Sequence, residues 1–161
     1  MVGYQRRAVG SGDVLGTVAL DLPPTRLVTR AFRYQVPDGV LLGAGLTADR
    51  WPGTLHAVEH AAIGILPLFT ICDRWDVGGV STLALGGEGP SIVVYDGYPG
   101  GSGIAELGFG AADRHLAATL EVLSSCGCSA GCPSCVQSPK CGNWNEPLDK
   151  LGAATLLRAV L

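Results

Sequence analysis

The sequence contains no apolar segment long enough to cross a lipid bilayer, which takes about 20 residues in a helix. Its longest apolar run, residues 61–71, is short and is interrupted by Gly64 and Pro67. The beginning of the chain also lacks the apolar stretch of a secretory signal, because Met1 leads into polar residues. These absences predict a soluble, cytoplasmic protein that works without a membrane.

A strong net charge is also missing. The formal charge is −3, from 11 basic and 14 acidic residues, so no overall positive field indicates a nucleic-acid-binding protein. Lysine is scarce, and nine of the basic residues are arginines, which can pair with phosphate through two hydrogen bonds. Five of these arginines lie in residues 1–36. Such a cluster is usually a solvated strand face, and it indicates phosphate contact only where the neighbouring site supports it.

The length of 161 residues and the hydrophobic content of 47% predict one domain with its own core. The patterns favour an α/β (α+β) fold, with a small mixed sheet, packed helices and a four-cysteine zinc knot near the C-terminus. Residues 37–53 are predicted to form a loop. Strands are expected within 2–20, as a hairpin, and at 27–36 and 91–95; helices are expected from Thr54, over 104–124 and over 148–161.

Five of the six cysteines lie in residues 126–141, with the spacing C-x-C-x3-C-x2-C-x5-C. In a reducing compartment such a cluster is more typical of a metal site than of disulfides. Four thiolates bind zinc tetrahedrally and leave no position open for catalysis, so one structural zinc ion is predicted. Disulfides or redox thiols are the alternatives. The tightest set comprises Cys126, Cys128, Cys132 and Cys135, with Cys141 as a possible replacement for Cys126.

The segment His56-Ala-Val-Glu59-His60 has the form HxxEH. On a helix it places two imidazoles four residues apart with a carboxylate between them, as in one class of zinc peptidases. The motif is short, however, and occurs often by chance. The favoured interpretation is a polar helix end that packs on the arginines or on the cysteine segment.

Residues 96–103, DGYPGGSG, form a glycine-rich loop before a predicted helix. A helix N-terminus of this kind can bind an anion through backbone N–H groups, but the GK[ST] of a Walker A motif is missing. A tight packing loop is therefore favoured over a phosphate site. Cys72, far from the other cysteines, is predicted to be a core thiol.

Four stretches together resemble one known family. They are HAVEHAAIGILPLF, CDRWDVGG, YDGYPGGSGIAE and GCPSCVQSPKCGNWNEPLDK, in this order. They are similar to the C-terminal zinc-binding domain of superfamily 2 DEAD/DEAH-box DNA helicases of the MrfA and SftH type. The resemblance covers the chain from about residue 2 to its end. It implies that Cys126, Cys128, Cys132 and Cys135 are the zinc ligands, with Cys141 in the same motif.

The resemblance also implies a function. Residues 1–161 would be a single domain, with its zinc knot at 126–141, of an ATP-dependent 3′–5′ DNA helicase that acts in DNA repair. The helicase motor domains lie outside this chain, which has no Walker A, DExH or arginine-finger motif and would not hydrolyse ATP by itself. No catalytic residue is assigned.

The leading hypothesis is therefore an accessory domain that positions single-stranded DNA against the motor domains of the same polypeptide. Arg30, Arg33 and Trp144 are the candidate DNA contacts, because arginine pairs with phosphate and an aromatic ring stacks on bases. Two alternatives remain: an HxxEH-type zinc hydrolase and a stand-alone, zinc-stabilised interaction module.

Overall fold

The computed structural model describes residues 3–161, and its strands form two separate sheets. Strands β1 (Gly3–Arg7) and β2 (Val14–Ala19) form an antiparallel hairpin. Strands β3 (Ala31–Gln35), β4 (Val77–Thr82) and β5 (Ser91–Asp96) form a three-stranded sheet with β5 in the centre. All these pairings are antiparallel. The α+β class is confirmed, with two antiparallel sheets in place of the single mixed sheet that we expected.

A central helix connects the sheet to the rest of the fold. This helix, α2, packs against β4 and β5 on one side and against α4 and α5 on the other. The helices are α1 (Asp38–Gly43), α2 (Trp51–Ile65), α3 (Ile104–Gly110), α4 (Ala112–Ser125) and α5 (Lys150–Val160), with short 3-10 turns at Ala48–Arg50 and Leu66–Leu68.

The burial of α2 is concentrated in its middle and falls off towards both ends. Every residue from Gly53 to Ala62 is buried, whereas Gly64 is exposed. The α-helix ends at Ile65, and Pro67 lies in the following 3-10 turn, as expected of a residue that cannot continue the helical hydrogen bonds.

Two cores form around this helix. The larger one lies between α2, α4 and α5 and contains Leu55, Val58 and Leu156, each at most 2% exposed. The smaller one joins α3 to the sheet through Phe32, Val94 and other apolar residues. Full burial of such a side chain contributes about 1.5–3 kcal/mol, so both cores stabilise the position of α2.

Several predicted boundaries differ from the structure. Residues 37–53 are not a loop, because they contain α1 and the beginning of α2, which starts at Trp51 and not at Thr54. The predicted strand 27–36 is shortened to β3, with Val28 80% exposed. The helix predicted over 104–124 is divided into α3 and α4 at Ala111. The last helix begins at Lys150 instead of Leu148.

Strand β4 was not predicted, because Val77–Thr82 contains two adjacent glycines. The structure explains both of them. A side chain at Gly78 would lie 2.3 Å from the Tyr95 ring, and one at Gly79 would lie 2.8 Å from the Glu59 carboxylate. The strand therefore passes close to β5 and α2 only because these positions lack a Cβ.

Candidate metal centre

The connection between α4 and α5 carries the four cysteines predicted as ligands. Helix α4 ends at Ser125, and Cys126 adopts an extended conformation immediately after it. Cys132 then begins a tight turn, in which its carbonyl oxygen accepts hydrogen bonds from the backbone N–H groups of Cys135, Val136 and Gln137. The chain therefore folds back on itself, and the cysteine side chains converge.

The four sulfur atoms are arranged as a metal ion requires. Their Sγ atoms all lie within 4.8 Å of one another. The distances are 3.6 Å for Cys126–Cys128, 3.5 Å for Cys126–Cys132, 3.4 Å for Cys128–Cys135 and 3.7 Å for Cys132–Cys135. Zinc bound tetrahedrally at Zn–S distances of about 2.3 Å separates its sulfurs by about 3.8 Å. The donor set fits zinc.

Disulfides do not explain the arrangement. All six cysteines are free thiols, and the sulfur separations exceed the S–S bond length of about 2.05 Å. The backbone N–H of Cys132 donates to the Cys135 sulfur over 3.3 Å. Such N–H groups stabilise thiolate charge at metal sites.

One basic residue serves the cluster directly. Lys150, at the start of α5, is only 6% exposed. Its ammonium donates to the carbonyl oxygens of Cys126 (2.6 Å) and Cys128 (2.7 Å) and to the Cys128 sulfur (3.2 Å). Burial opposes its charged form, but the hydrogen bond to Cys128 and the nearby thiols raise the pKa of Lys150. No spacing pattern in the sequence identifies this residue.

The same contacts favour ionisation of Cys128. Burial opposes its thiolate, but hydrogen bonds that include those from Cys135 and Lys150 lower the pKa of Cys128 to about 6. Zinc binds thiolates rather than thiols. The cluster therefore provides an environment in which a ligand can lose its proton near neutral pH.

The cluster is attached to the larger core. Cys135 is 8% exposed and Val136 is fully buried among the residues of α2, α4 and α5. Gly131 has a φ of +120°, and a Cβ there would lie 2.4 Å from Val136 Cγ2. The turn therefore requires glycine at this position.

The fifth clustered cysteine lies elsewhere. Cys141 forms a second group with His56 and His60, whose donor atoms also lie within 4.8 Å of one another. Cys141 Sγ is 3.4 Å from His56 Nε2. Both histidines are buried and hydrogen-bond to the connection between α4 and α5 that carries the cysteines. His56 pairs with the Pro147 carbonyl and His60 with the Val136 carbonyl. The HxxEH segment thus packs on the cysteine segment.

The glycine-rich loop binds an internal carboxylate. Asp96 is fully buried, and its carboxylate accepts hydrogen bonds from the backbone N–H groups of Ser102 (2.5 Å) and Ala105 (2.7 Å). These groups at the start of α3 are therefore already paired. The arrangement fits the tight packing loop that the sequence favoured over a phosphate site.

The candidate DNA contacts lie in two different clefts. Arg30 and Arg33 line one with Phe109, and Trp144 lines another with Tyr4 of β1. Arg30 is 3.8 Å from the Glu106 carboxylate, and Arg33 pairs with Glu88. Trp144 is 72% exposed, with the Arg7 guanidinium 5.7 Å from its ring centroid.

Comparison with known families places these features in context. The sequence model of the MrfA Zn-binding domain matches residues 58–136, which include the four clustered cysteines. The chain belongs to the MrfA zinc-binding domain family. Zinc is therefore its cofactor, and the four-cysteine cluster is consistent with one ion. His56 and Cys141 lie outside the matched residues.

Relatives of this MrfA-type domain are found in archaea, bacteria and yeast. An uncharacterised protein of Methanocaldococcus jannaschii is 41% identical over 111 residues, which are 66% of this chain and 99% of that protein. The ATP-dependent helicase YprA of Bacillus subtilis is 41% identical over 76% of this chain. The ATP-dependent helicase HRQ1 of Saccharomyces cerevisiae is 29% identical over 68% of it. The matches span only 16% of YprA and 11% of HRQ1.

Solved structures show the same fold for the MrfA-type domain. The DUF1998 helicase MrfA bound to DNA aligns with 98% of this chain at a TM-score of 0.63 and 25% identity. MrfA bound to DNA and AMPPNP aligns with 94% at a TM-score of 0.57 and 27% identity. These alignments cover 20% and 18% of the MrfA chain. Among residues 3–161, no helix is both long and apolar enough to span a membrane.

Proposed function

We propose that this chain is the accessory domain of an ATP-dependent DNA helicase and positions single-stranded DNA against motor domains of the same polypeptide. The observation that carries the proposal is the alignment of 98% of the chain with MrfA bound to DNA. The relationship to YprA and HRQ1, both ATP-dependent helicases, supports it. A 3′–5′ polarity, superfamily 2 motor domains, a role in DNA repair and a cytoplasmic location belong to the same proposal.

The zinc ion has a structural role in this proposal, with Cys126, Cys128, Cys132 and Cys135 as its ligands. Four thiolates complete a tetrahedral site and leave no position for a substrate. The ion would hold the turn at Cys132 against the ends of α4 and α5. A rigid connection between these helices would present a fixed surface to the motor domains.

Arg30, Arg33 and Trp144 are the proposed DNA contacts. The Arg30 side chain is 68% exposed and the Arg33 side chain 32% exposed, and each is paired with a largely exposed glutamate. Surface pairs of this kind contribute only about 0–1 kcal/mol, so a DNA phosphate can compete for the guanidinium. The exposed Trp144 ring offers a face on which a base can stack.

Binding of a labelled oligothymidylate, followed by fluorescence anisotropy over a series of salt concentrations, tests this function. We expect affinity to fall with salt, and Arg30→Ala/Arg33→Ala to reduce the salt slope by about 1.4, or 0.7 for each phosphate contact. Arg158→Ala is the matched control, since Arg158 lies on α5 and hydrogen-bonds to Ser124. A slope equal in the parent and the double variant would refute the assigned contacts.

A stand-alone, zinc-stabilised module is the second candidate function. It is supported by the M. jannaschii relative, which matches this chain over 99% of its length and so has no room for helicase motor domains. If the purified chain contains zinc but shows no salt-dependent binding of the oligonucleotide, that result would favour this candidate. The zinc hydrolase has less support, because the donor beside His56 and His60 is a thiol.

A further inference from the structure

The second group of donors, His56, His60 and Cys141, has no part in the four-cysteine cluster. The two histidines lie four residues apart on α2, with ring centroids 4.2 Å apart. Cys141 comes from the loop between the zinc cluster and α5. All three line one cleft of about 440 Å³, so the group can be reached from solvent.

Hydrogen bonds fix which ring nitrogens are available. The Nδ1 atom of His56 is 2.8 Å from the Pro147 carbonyl oxygen, and that of His60 is 2.7 Å from the Val136 carbonyl oxygen. A carbonyl oxygen only accepts, so each Nδ1 carries the hydrogen and each neutral ring has its lone pair on Nε2. A histidine that donates from one nitrogen to a carbonyl and ligates through the other is the usual arrangement at metal sites.

Backbone hydrogen bonds fix the position of the Cys141 sulfur. This sulfur accepts the backbone N–H groups of Asn143 (3.4 Å) and Asn145 (3.3 Å). To make this turn, Trp144 and Asn145 adopt φ values of +58° and +61°, a conformation that a bulky residue such as tryptophan rarely adopts. The loop therefore keeps a strained backbone that directs two donors at one sulfur.

The spacing of the group is compatible with a shared metal ion. Tetrahedral zinc with one sulfur and one nitrogen ligand separates them by about 3.6 Å, and Cys141 Sγ lies 3.4 Å from His56 Nε2. That pair alone would satisfy His56. Within residues 3–161, however, no group hydrogen-bonds to His60 Nε2, although His60 is only 8% exposed. A shared ion satisfies all three donors.

We propose that His56, His60 and Cys141 form a second zinc site, separate from the four-cysteine cluster. Two nitrogens and one sulfur are ligands that zinc accepts, and three protein ligands leave one tetrahedral position for water or a small ligand from the cleft. The ion joins α2 to the loop that carries Trp144. This site does not depend on the helicase function.

Metal stoichiometry tests the second site. Zinc per chain is measured by mass spectrometry after purification, and the metal-free chain is titrated with Co²⁺ while thiolate-to-cobalt absorption is followed. We expect two equivalents for the parent chain and one for Cys141→Ser, with the remaining spectrum that of a four-thiolate site. Cys72→Ser is the matched control and should keep two, since Cys72 packs on the smaller core, hydrogen-bonds to Thr70 and belongs to neither group of metal donors.

A second variant covers the case in which Cys141→Ser fails to fold. His60→Gln removes one ligand without altering the loop and should also bind one equivalent. Conversely, Cys132→Ser should lose the four-thiolate spectrum and retain a weaker one with a single thiolate. One equivalent in the parent chain, unchanged in Cys141→Ser and His60→Gln, would overturn the proposal.

Discussion

At the scale of single residues, two buried basic groups, Lys150 and His115, have different roles. Lys150 is charged beside thiols that zinc binding would make negative, so its ammonium offsets part of the charge of a four-thiolate site. His115 is neutral and fully buried: its Nε2–H donates to Ala62 (2.8 Å) and its Nδ1 accepts from the Tyr34 hydroxyl (3.0 Å). One residue supports the metal site, and the other couples stability to pH.

Replacing Lys150 with methionine should weaken zinc binding by about ten-fold or more, the usual cost of losing a group that supports metal ligands. The methionine keeps an apolar stem but removes the donor to Cys126 and Cys128. Competition with a chromophoric chelator measures the affinity. Arg158→Met, on the same helix, is the control, and an affinity equal to that of the control would contradict the assigned role.

The stability of the fold should decrease as the pH falls below about 6.5, the ordinary pKa of histidine. Burial lowers the pKa of His115 in the folded chain, so the unfolded chain binds protons that the folded chain does not. The free energy of unfolding should therefore decline by up to about 1.4 kcal/mol per pH unit until the folded pKa is reached. Urea unfolding between about pH 7.5 and pH 5.5 measures this decline.

His115→Gln separates this effect from the other histidines. The variant keeps an amide that can donate to Ala62 but cannot titrate, so its stability should depend less steeply on pH than that of the parent chain. Tyr34, whose pKa is raised to about 12 by burial and by Asp113, stays neutral throughout this range. Equal pH slopes would show that His115 is not the group responsible.

At the scale of secondary-structure elements, strands defined by local patterns were predictable, whereas a strand defined by close contacts with distant residues was not. The β1–β2 hairpin and β5 were predicted correctly from turn residues and an apolar run. Strand β4 was missed, because Gly78 and Gly79 are there to fit Tyr95 and Glu59, residues that lie far away in the sequence. Local patterns do not contain such tertiary contacts.

The metal site was likewise predictable only where it depends on local sequence. Close cysteine spacing made Cys126, Cys128, Cys132 and Cys135 identifiable as a set, and the structure brings their sulfurs together. The positions of Lys150 and Cys141 depend on how α2 and α5 pack against the connection between α4 and α5. The sequence therefore left the partner of Cys141 undetermined, although the HxxEH pattern marks His56 and His60, which the structure places beside it.

The turn at Gly131 offers a sharp test of the element that holds the cysteines. Gly131→Ala combines an unfavourable φ with a 2.4 Å contact to Val136, and we expect it to lower the free energy of unfolding by about 1–3 kcal/mol. Gly127→Ala is the matched control in the same segment, since a Cβ there meets nothing within 4 Å. Urea unfolding with saturating zinc measures both; equal stabilities would contradict the role of this turn.

At the scale of the whole molecule, zinc binding is coupled to the folding of the connection between α4 and α5. A ligand that binds only the folded chain stabilises it by about 1.4 kcal/mol for each ten-fold excess over its dissociation constant. Chelation should therefore lower the melting temperature and increase hydrogen exchange in residues 126–149 and at the start of α5. The sheet of β3, β4 and β5 should remain protected.

Re-addition of zinc, but not of magnesium, should restore both the melting temperature and the protection, since thiolates prefer zinc. Exchange that increased equally in the sheet and in residues 126–149 would show that the ion stabilises the fold globally. Exchange that did not change in residues 126–149 would contradict its position there.

The β1–β2 hairpin has a further consequence. Its strands are exposed along nearly their whole length, and Arg7 of β1 lies against the Trp144 ring. An isolated two-stranded hairpin is marginally stable in water, so this hairpin should open and close as its own cooperative unit. We therefore expect three levels of stability: a slowly exchanging helical centre, a metal-dependent segment beside it and an outer hairpin that unfolds first.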